Sequence, residues 1–211
     1  MPKSSASARA RKIKLILFDV DGVLTDGKIW IFPAPSGGPQ SGAQQSALEP
    51  PAQHGGQSGS GLQSTSLIET KGFHAHDGTA IMLARLAGIK TGIITKRISE
   101  TVALRARDLK MDHVYQGIQD KALVFAQILE RDGITAAEAA FVGDDVIDLP
   151  AMRKCGLAIA VKNARPEVKA EAHWATSHAG GEGAARDAVE YILKAQGKWK
   201  PAVEEYISER S

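Results

Sequence analysis

The sequence lacks several features that mark other classes of protein. Its single cysteine, Cys155, cannot form a disulfide within the chain and fits a reducing, cytoplasmic location. The net charge of +2 is too small to indicate a nucleic-acid partner. No apolar stretch approaches the roughly 20 residues of a membrane span. We therefore expect one domain with an adequate core, which 211 residues can supply.

Two segments contain too few apolar residues to form a folded core. Residues 1–12 contain no acidic residue and no apolar core, so they are not a secretory signal, and we predict a disordered basic tail. In residues 33–64, 24 of 32 positions are Gly, Pro, Ser or Gln. Such a segment cannot bury enough surface to offset its ordering entropy. We predict a disordered tip on a hairpin (28–72), within a domain of residues 13–197 that is followed by a C-terminal tail (198–211).

One stretch is rich in information. An apolar run, Ile13 to Phe18, ends in two carboxylates, Asp19 and Asp21, and then Gly22. The run is apolar on both faces, which predicts a buried parallel strand whose carboxyl end carries both acids on one side. Adjacent carboxylates repel, and a hard divalent cation relieves that repulsion. An ordinary Asp-rich turn would show the same pattern, because Asp and Gly favour turns.

Three later apolar runs also end in polar residues where a loop should lead into a helix. In chain order these residues are Thr95, Lys121, and the group Asp144, Asp145 and Asp148. Amphipathic helices alternate with the runs, and this alternation predicts an α/β fold with a doubly wound parallel sheet. We expect helices capped by Asp77, Ser99 and Asp120, a capping box at 135–138, and a last helix over Ala184–Ala195.

The order Asp-x-Asp, Thr, Lys, Gly-Asp-Asp-x-x-Asp resembles the haloacid dehalogenase superfamily of phosphotransferases. The short interval from Thr95 to Lys121 leaves no room for the cap domain that many members insert. The resemblance implies that Asp19 is the nucleophile and Asp21 the acid/base, with Mg²⁺ held by Asp19, Asp144 and the Asp21 backbone carbonyl. It also implies that Thr95 and Lys121 bind the phosphoryl group. Asp145 and Asp148 would surround the ligands or hold Lys121, and Asp145 could substitute as a ligand.

A closer resemblance, to the 3-deoxy-D-manno-octulosonate 8-phosphate phosphatase family, covers residues 13–32 and 65–198. The motifs that carry it include 73–78, 95–105, 114–117, 143–150 and 180–184. It implies Mg²⁺-dependent homotetramers without a cap, in which the hairpin and C-terminal segment of one subunit approach the site of another. The substrate-facing positions it implies are His74, Ala75, His76, Asp77, Gly78, Met82, Arg97 and Arg105, with Asp21 and Lys121.

The sequence departs from this family at three of its motifs. His76 and Glu182 stand where the family usually has arginine, and Lys96 where it has glycine. These changes put the identity of the sugar acid in doubt more than the chemistry. A nine-carbon keto-deoxy sugar-acid phosphate is the alternative substrate, and a catalytically inactive oligomeric scaffold or regulatory subunit is the alternative from another class. A His-x-His pair, His74 and His76, could suggest a transition metal, but the sequence shows no third ligand.

Overall fold

The computed structural model describes residues 5–33 and 67–208. The eight strands in this part are β1 (Leu15–Phe18), β2 (Trp30–Pro33), β3 (Leu67–Thr70), β4 (Lys90–Ile94), β5 (His113–Tyr115), β6 (Ala139–Gly143), β7 (Leu157–Ala160) and β8 (Trp174–Ala175). The helices are α1 (Ala6–Ala10), α2 (Ala75–Leu86), α3 (Glu100–Asp108), α4 (Lys121–Asp132), α5 (Leu149–Met152), α6 (Pro166–Glu171), α7 (Ala184–Ala195) and α8 (Trp199–Ser208). Short 3₁₀ turns cover Ala136–Glu138 and Val146–Asp148.

The main sheet has six parallel strands in the order β5-β4-β1-β6-β7-β8. Every residue of β1, β6 and β7 is buried, as their uninterrupted apolar sequences require. The chain builds outward from β1 through β4 to β5, and then resumes on the other side of β1 with β6. The doubly wound parallel sheet is therefore confirmed, and its topological switch point lies between β1 and β6, where a crevice for ligands is expected.

A hairpin forms a second, two-stranded sheet. Strands β2 and β3 pair antiparallel, with Trp30 opposite Thr70 and Phe32 opposite Ile68. Residues 29–70 form a compact unit of their own. The predicted disorder of 33–64 lies outside the described residues, except for Pro33, which ends β2. Between Thr95 and Lys121 the structure has only α3 and β5, so no cap is inserted there.

The predicted disordered tail at residues 1–12 is wrong for its second half. Residues 6–10 form α1, and Ala10 is fully buried. The Arg9 Nη1 donates to the Gly156 carbonyl at 2.6 Å, and the Gln196 Nε2 donates to the carbonyls of Ala10 and Ile13 at 3.0 and 2.8 Å. These partners are distant in sequence, so the composition of the segment could not reveal them.

The predicted last helix is followed by another. The prediction of α7 over Ala184–Ala195 is confirmed, but α8 continues the chain, with Ala202 buried. The Arg186 guanidinium lies 4.6 Å from the centre of the Trp199 ring, a distance typical of a cation–π contact. α8 also packs against α2, so the C-terminal segment belongs to the domain up to residue 208.

The prediction that Asp77 caps α2 is wrong. The helix begins at Ala75, and the cap is His74, whose Nδ1 accepts from the backbone N–H of His76 at 3.3 Å. Asp77 is inside the first turn and accepts from the backbone N–H of Arg186 at 2.8 Å, at the start of α7. The other helix starts lie where predicted, with Ser99 and Asp120 at the N-cap positions.

No helix in residues 5–33 and 67–208 is long and apolar enough to cross a bilayer.

The Gln196 side chain links α1 to the end of α7 by hydrogen bonds. Its substitution therefore tests whether α1 packs on the domain. Gln196→Ala leaves the Ala10 and Ile13 carbonyls without this donor, and we expect the free energy of unfolding to fall by about 1–2 kcal/mol. Urea denaturation followed by circular dichroism measures the change. Gln127→Ala, at an exposed position of α4, is the matched control and should stay within about 0.5 kcal/mol. Equal, negligible losses for both variants would contradict the packed α1.

Candidate active site

The two strands at the switch point bring the acidic motifs together. β1 ends at Phe18 and is followed by Asp19, which is 3% exposed and whose backbone N–H donates to the Val142 carbonyl on β6 at 3.0 Å. β6 is followed by Asp144. Together with the ends of β4 and β5, these loops surround a cleft of about 490 Å³. Its lining residues are Asp19, Asp21, Thr95, Lys96, Arg97, Gln119, Asp144, Asp145 and Ile147.

Glycines let the loops meet at this crevice. Gly22 has φ +92°, and a Cβ there would lie 2.2 Å from the Asp144 Oδ2. A Cβ on Gly180, in the glycine-rich segment before α7, would lie 1.7 Å from the Gly22 carbonyl oxygen. No side chain fits at either position without moving backbone or a metal-ligand candidate. The turn after β1 is therefore held between the β6 loop and the segment that leads into α7.

Lys121 enters the site from the first turn of α4. Its side chain is 2% exposed, and Nζ lies 2.7 Å from the Asp19 Oδ1 and 2.6 Å from the Asp148 Oδ1. Burial by itself lowers the pKa of Lys121, but the two carboxylates outweigh burial and raise that pKa. Lys121 is therefore a charged residue inside the cluster and is not the solvated helix lysine that its sequence context alone allows.

Asp148 is the residue that fixes this arrangement. It is fully buried; Oδ1 accepts from Lys121, and Oδ2 accepts from the backbone N–H groups of Asp144 and Asp145 at 3.0 and 3.3 Å. Both of its oxygens are occupied by protein donors. Asp145, in contrast, is exposed and caps the short 3₁₀ turn by accepting from the Val146 N–H at 2.7 Å. Asp148 thus positions Lys121 and the loop after β6.

The remaining carboxylates form a site suited to a divalent cation. Donor oxygens of Asp19, Asp144 and Asp148 lie within 4.8 Å of one another. Since Asp148 is fully engaged, Asp19 and Asp144 are the side chains available as ligands. The Asp144 Oδ1 is buried and has no hydrogen-bond partner among the described residues. An all-oxygen donor set of this kind suits Mg²⁺.

The electrostatics of these acids point the same way. Burial raises the pKa of Asp19 to about 6, and the Asp148 charge adds to the shift. Burial raises the pKa of Asp144 to about 7, with further repulsion from Asp148 and Asp19. Each shift means that the ionised form lacks sufficient stabilisation from the protein alone. A bound divalent cation would supply it.

Asp21 lies between two cations. The fully buried Lys71 Nζ donates to the Asp21 Oδ1, and the Arg97 Nε lies 3.8 Å from the Asp21 Oδ2. The Asp21 side chain is directed to these groups, and its carboxylate is absent from the cluster of potential metal donors. Sequence reasoning missed Lys71, because a lysine after a short strand carries no sign that it is buried. Gln119 and Ile147 were likewise not predicted at the cleft.

Thr95 follows β4 and is 2% exposed at the cleft. Its backbone N–H donates to the Tyr115 carbonyl at 3.0 Å, so the end of β5 fixes its position. Arg97, two residues on, is half-exposed at the mouth. Thr95 and Arg97 therefore line the same cleft as Asp19.

Other predicted substrate residues lie around a second pocket. This pocket is about 10 Å³, room for about one water molecule, and its lining includes His74, Asp77, Gly78 and Arg105. The Arg105 guanidinium lies 5.9 Å from the centre of the Phe73 ring, and its Nη2 would be 2.3 Å from a Cβ on Gly78. Burial raises the pKa of Asp77. Exposed positions at the start of α2 are Ala75 and His76, and Met82 packs against the core.

The rings of His74 and His76 meet edge to face, 4.8 Å apart. The His74 Nδ1 serves as the cap of α2. Among the described residues, the only group of three or more candidate metal donors is the acidic one at Asp19. Residues 5–33 and 67–208 therefore supply no third ligand to the histidine pair.

Known proteins of one family resemble this chain in sequence. Residues 89–186 match the haloacid dehalogenase-like hydrolase family. The 3-deoxy-D-manno-octulosonate 8-phosphate phosphatase of Escherichia coli K12 is 36% identical over 191 residues, which cover 90% of this chain and 85% of the relative. The chain belongs to the 3-deoxy-D-manno-octulosonate 8-phosphate phosphatase family.

Solved structures of the same family share the fold. The Moraxella catarrhalis phosphatase, in complex with a magnesium ion, a phosphate ion and a KDO molecule, superposes with a TM-score of 0.76 at 31% identity, covering 95% of this chain and 97% of that one. The cobalt-bound phosphatase of Haemophilus influenzae gives a TM-score of 0.71 at 29% identity, covering 90% and 93%. The family resemblance therefore extends over nearly the whole chain.

The raised pKa values predict how cation binding depends on pH. Ligands must be ionised, so protons compete with Mg²⁺ as the pH falls through the Asp144 pKa of about 7. We expect the apparent Kd for Mg²⁺ to rise about tenfold between pH 8 and pH 6, measured by isothermal titration calorimetry.

The stability of the metal-free protein should depend on pH as well. Because the pKa of Asp144 is raised in the folded state, that state binds more protons than the unfolded chain. The free energy of unfolding should therefore fall as the pH rises from about 4 toward 7.

Two variants sharpen the measurement of Mg²⁺ binding. Asp144→Asn removes a candidate ligand, and we expect it to abolish tight Mg²⁺ binding at every pH. Asp108→Asn, at an exposed position of α3, should leave both the affinity and its pH dependence unchanged. An affinity that is constant with pH, or that increases in acid, would show that the Asp144 carboxylate does not bind the cation.

Proposed function

We propose that the protein is a Mg²⁺-dependent phosphatase that hydrolyses 3-deoxy-D-manno-octulosonate 8-phosphate to the free sugar acid and phosphate, in lipopolysaccharide precursor synthesis. The observation that carries the proposal is the buried cluster of Asp19, Lys121, Asp144 and Asp148 at the switch point of the sheet. This cluster combines a carboxylate nucleophile, a cation and a metal-ligand pair. It occurs in a chain that matches this phosphatase family along 90% of its length.

The first half of the reaction transfers the phosphoryl group to the protein. An Asp19 carboxylate oxygen attacks phosphorus, and the bond between phosphorus and the sugar oxygen breaks. The electron pair of that bond stays on the sugar oxygen, which takes a proton from Asp21. The products of this half are an aspartyl-phosphate at Asp19 and the free sugar acid.

The second half restores Asp19. A water oxygen attacks phosphorus while Asp21, now ionised, takes the proton of that water. The bond between phosphorus and the Asp19 oxygen breaks, and its electron pair returns to the carboxylate. Inorganic phosphate leaves, and Asp21 is again protonated for the next turnover.

The phosphoryl charge needs compensation in both halves. The buried Lys121 ammonium beside Asp19 and the Thr95 hydroxyl at the end of β4 bind phosphoryl oxygens. The Arg97 guanidinium at the mouth is suited to the substrate's carboxylate or phosphate, because its fork matches both groups. Mg²⁺, held by Asp19, Asp144 and the Asp21 carbonyl, would supply further positive charge to the transferring group.

A homotetramer is part of the proposal. Ile29, which precedes β2, and the first three residues of β2, Trp30, Ile31 and Phe32, are between 38% and 58% exposed. Since side chains alternate in a strand, both faces of the hairpin carry large apolar groups, and such a surface favours a partner. A second copy of the chain would cover the hairpin and complete the open site. The reducing environment indicated by the single buried cysteine fits a cytoplasmic location.

The rival substrate is a nine-carbon keto-deoxy sugar-acid phosphate. It would use the same phosphoryl cleft, so only measured rates can separate the two. The inactive scaffold is the weaker alternative, because Asp19, Lys121 and Asp144, the groups expected to carry out phosphoryl transfer, are all present in one cluster.

A phosphate-release assay with Mg²⁺ tests the proposal. We expect kcat/KM for 3-deoxy-D-manno-octulosonate 8-phosphate to exceed that for the nine-carbon homologue and for simple sugar phosphates. Asp19→Asn should lower the rate by roughly three powers of ten or more, because an amide cannot form the acyl-phosphate. Asp108→Asn, at an exposed position of α3, controls for a lost carboxylate. A preference for the nine-carbon substrate would replace the substrate assignment, and an active Asp19→Asn variant would refute the nucleophile.

Light scattering of the full chain at micromolar concentration tests the assembly. We expect the mass of four subunits. Trp30→Asp should shift the protein toward smaller species, because a buried, unpaired carboxylate at an interface is costly. Val114→Asp, at another exposed apolar position, should leave the tetramer intact. A fully active monomer would refute both the tetramer and the shared site.

A further inference from the structure

Lys71 is a buried cation with no role in the chemistry described so far. It directly follows β3, its side chain is fully buried, and Nζ donates to the Asp21 Oδ1. Burying an ammonium group costs several kcal/mol unless a counter-charge and hydrogen bonds compensate it. The protein thus maintains a costly group at one particular place, against the carboxylate that serves as acid and base.

The two oxygens of Asp21 have different surroundings. Lys71 donates to Oδ1, whereas the Arg97 Nε lies 3.8 Å from Oδ2, which is longer than a hydrogen bond. An ammonium group donates hydrogen bonds and accepts none. The positive charge of Lys71 repels a proton on the oxygen that it contacts. A proton carried by Asp21 is therefore more stable on Oδ2, the oxygen nearer to Arg97.

We propose that Lys71 is the positioning residue of the general acid and base. It holds the Asp21 carboxyl group in one orientation and keeps its transferable proton on Oδ2. In the first half-reaction that proton passes from Oδ2 to the sugar oxygen as the bond to phosphorus breaks. In the second half, Oδ2 takes the proton of the attacking water. This inference rests on the proposed function, because it assigns to Asp21 the acid/base role.

Two other roles for a buried lysine predict different kinetics. A lysine that bound the substrate's carboxylate would act mainly on KM for the sugar acid. A lysine that only stabilised the fold would lower the activity toward all substrates alike. A positioning residue acts only on steps that move a proton. The dependence of the rate on the leaving group therefore separates the three roles.

The experiment compares Lys71→Met with the unmodified protein on two substrates with Mg²⁺ present. For the sugar-acid phosphate, whose alkoxide leaves poorly without a proton, we expect kcat/KM to fall by about 100-fold. For p-nitrophenyl phosphate, whose leaving group needs no proton, kcat/KM should change less than about threefold. Its kcat should fall, because hydrolysis of the phospho-enzyme still needs Asp21 as a base. Rapid mixing should then show a burst of p-nitrophenolate equal to the enzyme concentration.

Further variants make the result decisive. Lys71→Arg keeps a cation and should recover much of the lost kcat/KM on the sugar-acid phosphate. Lys90→Met removes an exposed lysine that pairs with Asp132 and should leave both substrates unaffected. If circular dichroism shows that Lys71→Met does not fold, Lys71→Gln is measured in the same way.

The outcomes distinguish this inference from the proposal beneath it. An unmodified protein that hydrolyses neither substrate would overturn the proposed function. An active unmodified protein whose Lys71 variants lose both substrates equally, or show no burst, would overturn the positioning role alone. A raised KM for the sugar acid with unchanged kcat would do the same and would assign Lys71 to substrate binding.

Discussion

The crowding of like charges at the end of β1 and β6 is the constraint on which the rest of the structure depends. Three carboxylates, Asp19, Asp144 and Asp148, have donor oxygens within 4.8 Å of one another, and one ammonium, that of Lys121, lies among them. Their formal charges leave the cluster two negative charges in excess, which is the charge that a divalent cation neutralises. The raised pKa values of Asp19 and Asp144 reflect the same deficit. The same excess of negative charge therefore raises these pKa values and favours a bound divalent cation.

The fold tolerates this electrostatic repulsion because every residue of the cluster is attached to a rigid element. β1 and β6 are central, fully buried strands, and Lys121 is in the first turn of α4. Asp148 then joins these parts by accepting from Lys121 and from two backbone N–H groups of the β6 loop. Gly22 permits the closest approach of the two loops. Rigid support of this kind keeps reacting groups in position without a cap between Thr95 and Lys121.

Local sequence was sufficient for the features that depend on local physics. The apolar runs predicted the buried strands, and the position of acids at their ends predicted the cluster, because strand ends in a parallel sheet meet at one edge. What it could not predict depends on partners distant in the chain. The sequence around Asp77 is typical of a helix cap, but its carboxylate accepts from the backbone N–H of Arg186. Gln196 donates to the carbonyl at the end of α1, and the buried Lys71 donates to Asp21. No periodicity or composition in those segments carries that information.

The same distinction explains where this chain departs from its family. His76, Lys96 and Glu182 are all exposed, whereas Asp19, Lys121 and Asp148 are buried. A change at an exposed position seldom alters stability by more than about 0.5 kcal/mol, whereas loss of one partner in a buried charge cluster costs several kcal/mol. Exposed residues such as His76, Lys96 and Glu182 can therefore vary without loss of stability, while the buried charge cluster cannot. Because the two rival substrates share a phosphate and differ by one carbon, a preference between them would depend on such exposed residues, and the rates on eight- and nine-carbon sugar acids decide the substrate.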